Sequence, residues 1–283
     1  MSASASRRKD YAKRPRFSLA PQQRSHTSYL YGTVHTAKVG WVFFGRTVLA
    51  AFHASDRLAV EVDLFDPDVR QRVAKSLSAP ENNPPLPDPL LKRIQTFAER
   101  VCFPLSDLDK LPLRQKLSTL ALYMSRYDGL SPSFGIDASL SRLARDEGKP
   151  IVSLENPETR VWMNDADRIT EEIEGLIEGL ESGRTRELGL RLVEVWAESR
   201  YDDFLRFKEL CACFDTDADR RNWVRFTDDR NRIMAVGIDA QHEMGHSIFA
   251  AVGYQHMVGE LGLPRLLEQM GYQAEFVVFA NGG

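Results

Sequence analysis

Two histidines stand at matching places in two similar stretches. Tyr29–His35 reads Tyr-Leu-Tyr-Gly-Thr-Val-His, and Ala250–His256 reads Ala-Ala-Val-Gly-Tyr-Gln-His. In each, an apolar, strand-like run reaches a glycine, Gly32 or Gly253, and a histidine follows, His35 or His256. A short apolar run bounded by turn residues reads as a buried strand. The glycine permits close backbone approach, and the strand end delivers an imidazole to a sheet edge, where loops build sites. Convergence on one site gives the pair a chemical purpose. The competing reading is two unrelated loop histidines.

Carboxylates come next. Leu58-Ala-Val-Glu-Val-Asp-Leu64 alternates so that Leu58, Val60, Val62 and Leu64 point one way and Ala59, Glu61 and Asp63 the other. An acid in an apolar strand is costly to bury unless it is paired or ligated; a water-facing strand face would need no partner. This strand is expected as a parallel neighbour of the first one, which would set Glu61 beside His35. Asp137 is expected to cap a helix that runs through Arg145 and ends at Gly148. Pro150–Glu155 reads as a strand with Glu155 at its end. His242-Glu243-Met244-Gly245-His246 matches the H-E-x-x-H zinc-protease pattern. The motif should sit mid-helix, whereas Gly245 interrupts it and a strand begins at Ser247. A polar helix-to-strand connection is the better reading.

The elements that must position these residues alternate. The first strand is followed by a short helix from Gly45, with Val48, Leu49 and Phe52 on one face and His53 beside it. Residues 66–133 read as a largely helical insertion, with helices at Val69–Leu77, Pro89–Val101 and Leu113–Tyr127. The proline-rich loop from Ala79 is expected to be mobile. Pro157 opens a helix, and 165–211 is a helical tract broken near Gly183 and Tyr201. Trp223–Gln241 is a helix carrying Arg230 and Asn231. Ser247–Val252 is a strand, Leu263–Met270 a helix, and Gln273–Phe279 a closing strand. The class expected is α/β.

The 283 residues suffice for a sizeable core. Apolar residues make up 43% and charged residues 27%, which excludes a disordered chain. A net charge of −3 gives no bulk electrostatic case for nucleic acid, and no run reaches the length of a membrane span. Residues 1–24 read as a flexible basic arm, and 25–283 as a single domain. Ser6-Arg7-Arg8-Lys9 resembles a twin-arginine export signal, but no apolar stretch follows it, so a cytoplasmic protein is expected. Three cysteines without framework spacing suggest reduced thiols.

With these residues in view, the chain resembles the TraB/PrgY/GumN family, which is related to the Tiki metalloproteases. The motifs that carry the resemblance are Tyr31-Gly-Thr-Val-His35, Leu58–Asp63, Gly135-Ile-Asp137, Gly148–Glu155, Asp229-Arg-Asn231 and Val252–Gly259 with Gly262-Leu263. Their order spans nearly the whole chain. The resemblance implies two similar α/β halves, about 25–130 and 131–283, that form one cleft with a largely helical insertion between them. It implies His35 and His256 as paired site histidines, Glu61 as the acid beside them, and Arg230 as a charge clamp or structural partner. Gly32, Gly253, Asp63, Asp137, Glu155 and Asn231 occupy family positions and are expected to support binding. In the Tiki branch this constellation accompanies manganese- or cobalt-dependent peptide cleavage.

The expected function is therefore a metal-dependent hydrolase, most simply a peptidase. His35, His256 and Glu61 would hold manganese, cobalt or zinc, and Glu61 and Arg230 would act on a peptide or protein substrate. The alternatives are a metal-free, histidine-based hydrolase, a peptide- or pheromone-binding regulator without chemistry, a zincin using His242, Glu243 and His246, and a buried polar cluster that only satisfies itself.

Overall fold

The computed structural model describes residues 16–21, 27–77, 85–157, 166–200 and 216–276, with 203, 205–211 and 214 between the last two spans. One six-stranded sheet organises it. Its strands are β1 (Arg16–Pro21), β2 (Ser28–Thr33), β3 (Arg57–Val60), β4 (Ile151–Ser153), β5 (Ile248–Gly253) and β6 (Tyr272–Phe276). Their order is β4-β3-β5-β2-β1-β6. The pairs β4·β3, β3·β5 and β5·β2 are parallel, while β2·β1 and β1·β6 are antiparallel. β5 is buried along its whole length, as its unbroken apolar sequence requires of a strand covered on both faces.

Helices cover both faces. On one lie α1 (Arg46–Ala54) and α6 (Ile136–Asp146). Phe52, Ile136 and Leu140 pack there on Tyr31, Leu58 and Phe249. On the other lie α11 (Asp229–Glu243) and α12 (Leu263–Gln269). Met234, Ile238 and Leu267 pack there on Leu30, Ala59 and Ala250. The alternation along each strand decides which residue faces which layer.

Between β3 and β4 run α2 (Pro67–Leu77), α3 (Asp88–Arg100), α4 (Leu105–Leu108), α5 (Leu113–Met124) and α6. Between β4 and β5 come α7 (Ala166–Glu181), α8 (Arg184–Ala197), α9 (Phe207–Leu210) and α10 (Asp217–Trp223) ahead of α11. Leu90, Ile94 and Phe97 of α3, Leu117 and Leu120 of α5, and Ile173 and Ile177 of α7 form a core of their own, apart from the sheet. The insertion is thus a helical block with its own apolar centre. No helix among the described residues is long and apolar enough to cross a membrane.

The α/β class stands, and five expectations need correction. β3 does not neighbour β2, because β5 lies between them. The strands of the two expected halves interleave in one sheet. Residues 16–21 are not part of a flexible arm: they form β1, paired with β2 and β6. Asp137 does not cap α6. Gly135 holds the N-cap position and Asp137 lies in the first turn, where its negative charge suits the helix dipole. Cys102 is a free thiol, but Cys211 is disulfide-bonded. The proline-rich loop through residue 84 and the helix start after Pro157 lie outside the described residues.

Candidate active site

The parallel strands β2, β3 and β5 all end on one side of the sheet. In open α/β sheets, ligands bind outside such carboxyl ends. The two glycine–histidine stretches end there on neighbouring strands, with Gly32 opposite Val252 and Thr33 opposite Gly253.

The two histidines nevertheless differ. After Gly253 the chain turns at once into a 3-10 helix over Tyr254–Met257, which carries His256 inward. The turn packs on Gly32, where a Cβ would lie 3.1 Å from Tyr254 Cβ and 3.2 Å from its Cα. After Thr33 the chain leaves the sheet instead. The Val34 carbonyl accepts from Ile136 N–H at 2.9 Å, and Ala37 bridges Ser131. The side chain of His35 is therefore 58% exposed and that of His256 1% exposed.

Glu61 follows the last residue of β3 and turns toward α11. Its Oε2 accepts from Arg230 Nη2 at 2.5 Å, and its Oε1 from Gly253 N–H at 2.8 Å. A Cβ on Gly253 would stand 3.1 Å from that Oε1 and 3.4 Å from His256 Cδ2, so any larger residue there would press on the Glu61 carboxylate. Arg230 also grips Glu155 with a bidentate fork, Nε to Oε1 at 2.7 Å and Nη2 to Oε2 at 2.8 Å. Nη1 donates to the Phe226 carbonyl at 3.2 Å. Phe226 sits in a π-helical turn, Val224–Asp228, that leads into α11; such turns recur at functional sites. Burial works against the Arg230 charge, but the two carboxylates and their hydrogen bonds outweigh it and hold the guanidinium above its ordinary range.

His256 is oriented by Asn231. The Asn231 Nδ2 donates to the Leu261 carbonyl at 2.7 Å. Its Oδ1 therefore faces His256 Nδ1, 2.6 Å away. That network assigns the hydrogen to Nδ1 and leaves Nε2 beside Glu61 Oε1, at 3.7 Å. In formal charge, Glu61 and Glu155 exceed Arg230 by one negative unit.

Glu61 is also a wall of a cavity of about 380 Å³. His35 and Asp137 line the same cavity, with His35 Nδ1 3.3 Å from Asp137 Oδ2. The apolar wall includes Val60, Val62, Leu64, Phe65 and Leu122.

The structure thus gathers Glu61, Arg230, Glu155, His256, Asn231 and Gly253 directly, and joins His35 and Asp137 to them through the cavity. Gly32 is the floor under the His256 turn. Its carbonyl accepts from Trp196 Nε1 at 2.8 Å. Asp63 goes elsewhere. The backbone bends after Val60, with Leu64 N–H on the Val62 carbonyl at 3.0 Å, so Asp63 does not share a face with Glu61. It is paired with Arg145 Nη2 of α6 at 2.7 and 2.6 Å. Arg145, Ser118 and Leu122 were not legible as site residues. Ser118 and Leu122 lie four apart on α5, one helical face, but nothing local says that this face meets the sheet edge.

His242–His246 lies at the opposite end of β5. The Ser28 hydroxyl, which accepts from Ile248 N–H at 2.8 Å, lies 2.5 Å from His242 Nε2. His246 Nε2 pairs with Arg57 Nη2 at 2.7 Å. Helix α11 stops at Glu243. The H-E-x-x-H match is a helix-to-strand connection.

For a divalent ion, the imidazole lone pair set by Asn231, the carboxylate oxygen 3.7 Å from it and the surplus negative charge form a suitable pair of donors. His35, the third expected ligand, lines the same cavity as Glu61. Among the described residues, no three His, Cys, Asp or Glu side chains are clustered as a ligand set. A sequence model of the TraB/PrgY/gumN family matches residues 21–275. No curated protein and no solved structure matches the chain.

Proposed function

The chain belongs to the TraB/PrgY/gumN family, and from that premise we propose that the cavity at the strand ends is the active site of a hydrolase for peptide bonds. One observation carries the reading. Glu61 is at once a wall of the cavity and the neighbour of a buried histidine whose tautomer is fixed. Buried acids and imidazoles arranged with that care in a cleft mark functional sites.

Glu61 takes a proton at Oε1 from the attacking water and returns it to the leaving amine. Arg230 holds Glu61 ionised and aimed, through Oε2. Its N–H groups serve Glu61, Glu155 and the Phe226 carbonyl, so of the two roles the resemblance implied, charge clamp or structural partner, it takes the second, as a positioning residue. Asn231 keeps Nε2 of His256 beside Oε1. A divalent ion held by His256 and Glu61, with His35 as a further ligand, would supply Lewis acidity to polarise a carbonyl and acidify water. Manganese, cobalt and zinc all suit mixed N/O donors.

A metal-free hydrolase is the second reading. It is favoured by the hydrogen bonds that both Glu61 oxygens already accept; His256 Nε2 would then be the proton acceptor. The test is a peptide library incubated with the protein, with and without added manganese, cobalt or zinc, and read by mass spectrometry. Cleavage should occur, and should fall by about 10²–10⁴-fold in His256→Ala and Glu61→Gln. A chelator that abolishes cleavage selects the metal reading, and one without effect selects the metal-free reading. Full cleavage by His256→Ala, or peptide binding with no product under any condition, overturns the proposal.

A further inference from the structure

The cavity beside Glu61 has more character than a water-filled cleft. Its polar lining comprises Glu61, His35 and Asp137, with the hydroxyls of Ser118 and Ser141. The rest of the lining is apolar: Val60, Val62, Leu64 and Phe65 from β3 and the bend after it, and Leu122 of α5, with small alanines besides. Among the described residues no lysine or arginine lines it, so an anionic group entering it would meet two carboxylates and no cation. Its volume of about 380 Å³ is that of a small-molecule site.

One wall is fixed by a device outside the cavity. Arg145 lies over the Phe65 ring, 5.1 Å from its centroid, and Arg142 lies 5.9 Å from it. Arg145 is in turn held by Asp63, whose Oδ1 also accepts from Phe65 N–H at 3.1 Å. Asp63 therefore positions Phe65 by two routes, backbone and guanidinium.

We infer that this cavity is a specificity pocket for one large apolar side chain of a peptide substrate, aromatic or branched aliphatic, seated between Phe65 and Leu122 next to Glu61. The inference rests on the hydrolase reading for the neighbouring bond, but not for binding itself. The helical insertion then sets specificity through Ser118 and Leu122, and Asp63 is a positioning residue for the Phe65 wall.

The probes are tripeptides acetyl-Ala-X-Ala-amide with X as Phe, Leu, Ala, Asp or Lys, titrated calorimetrically into the full chain. Burial of a large apolar side chain predicts about ten- to hundredfold tighter binding for Phe and Leu than for Ala or Asp. Leu122→Trp, which fills the pocket from a half-buried position, should erase that preference. Ser118→Phe, at an exposed position of the same helix face, is the second variant, and circular dichroism checks the fold of both. Equal binding of Phe and Ala, tightest binding of Lys, no binding at all, or a preference that survives both variants overturns the inference. Cleavage is scored separately. Preference without cleavage sinks only the hydrolase reading, and cleavage without preference sinks only this one.

Discussion

Removal of the Arg230 guanidinium is the sharpest test of the ion cluster. Arg230→Met keeps the chain length and strips the charge between Glu61 and Glu155, whose side chains are 9% and 1% exposed. At an effective dielectric near 20, each unit pair about 4 Å apart is worth about 4 kcal/mol. Two such attractions vanish, offset by the desolvation that the cation no longer suffers and deepened by the mutual repulsion of the acids. Loss of one partner from a buried pair costs about 3–5 kcal/mol, and that is the expected loss at pH 7.5. The deficit must also depend on pH. In the variant the stranded carboxylates gain protons more readily folded than unfolded, so the folded pKa rises above the unfolded value of about 4.3. The penalty is then full above the raised pKa and shrinks by about 1.4 kcal/mol per unit as pH falls toward the unfolded value. At pH 5 the gap to wild type should close to about 1–2 kcal/mol. Urea titration followed by the fluorescence of Trp196 and Trp223, both buried in the layers against the sheet, measures it. A deficit under about 1 kcal/mol at pH 7.5, or one that is the same at both pH values, refutes a buried cluster.

Three further outcomes are expected. Asn231→Ala should lower hydrolysis by about 10–100-fold with the fold retained, because the His256 ring loses its orienting partner; unchanged rates would show that the tautomer is immaterial. Glu243→Gln should leave hydrolysis and melting temperature as in wild type, since Glu243 is exposed at a helix end. His242→Ala should cost about 1–3 kcal/mol, because the buried Ser28 hydroxyl keeps only the Ile248 N–H and loses its imidazole partner. Loss of hydrolysis in Glu243→Gln would restore the zincin reading.

Much of this site was legible because its residues violate their surroundings. An acid in the run Leu58–Val62 has to be paired or ligated, and Glu61 is paired. An apolar run that stops at glycine before histidine, met twice, marks strand ends, and β2 and β5 are adjacent and parallel. What sequence could not give was set by contacts between distant segments. β5 enters between β3 and β2, so Glu61 meets Gly253 and His256 rather than pairing with His35. The inequality of the two histidines follows from Tyr254 closing on Gly32. Asp63 shares the strand alternation with Glu61 on paper, but the bend at Val62–Leu64 sends it to Arg145. The role of α5 is a matter of docking between two apolar cores, which no periodicity within α5 records.

The placement of β5 also orders events in time. β2 and β3 are synthesised well before the strand that joins them, which pairs Leu30 and Ala59 alike to Ala250 and follows β3 only after the whole tract from Glu61 to Ser247. At about 5–20 residues per second the two edges wait roughly 10–40 s for their common neighbour. Through that interval they are unpaired, apolar and parallel-competent, the condition in which nascent chains stick to one another. Closure over so long a separation is intrinsically slow. Glu61, Glu155 and Arg230 are all on the chain before Gly253 supplies the N–H that fixes the first of them. A ribosome-bound chain lacking its last strand pairs therefore holds most of the site's side chains and no site, and chaperone occupancy should fall when β5 enters the sheet.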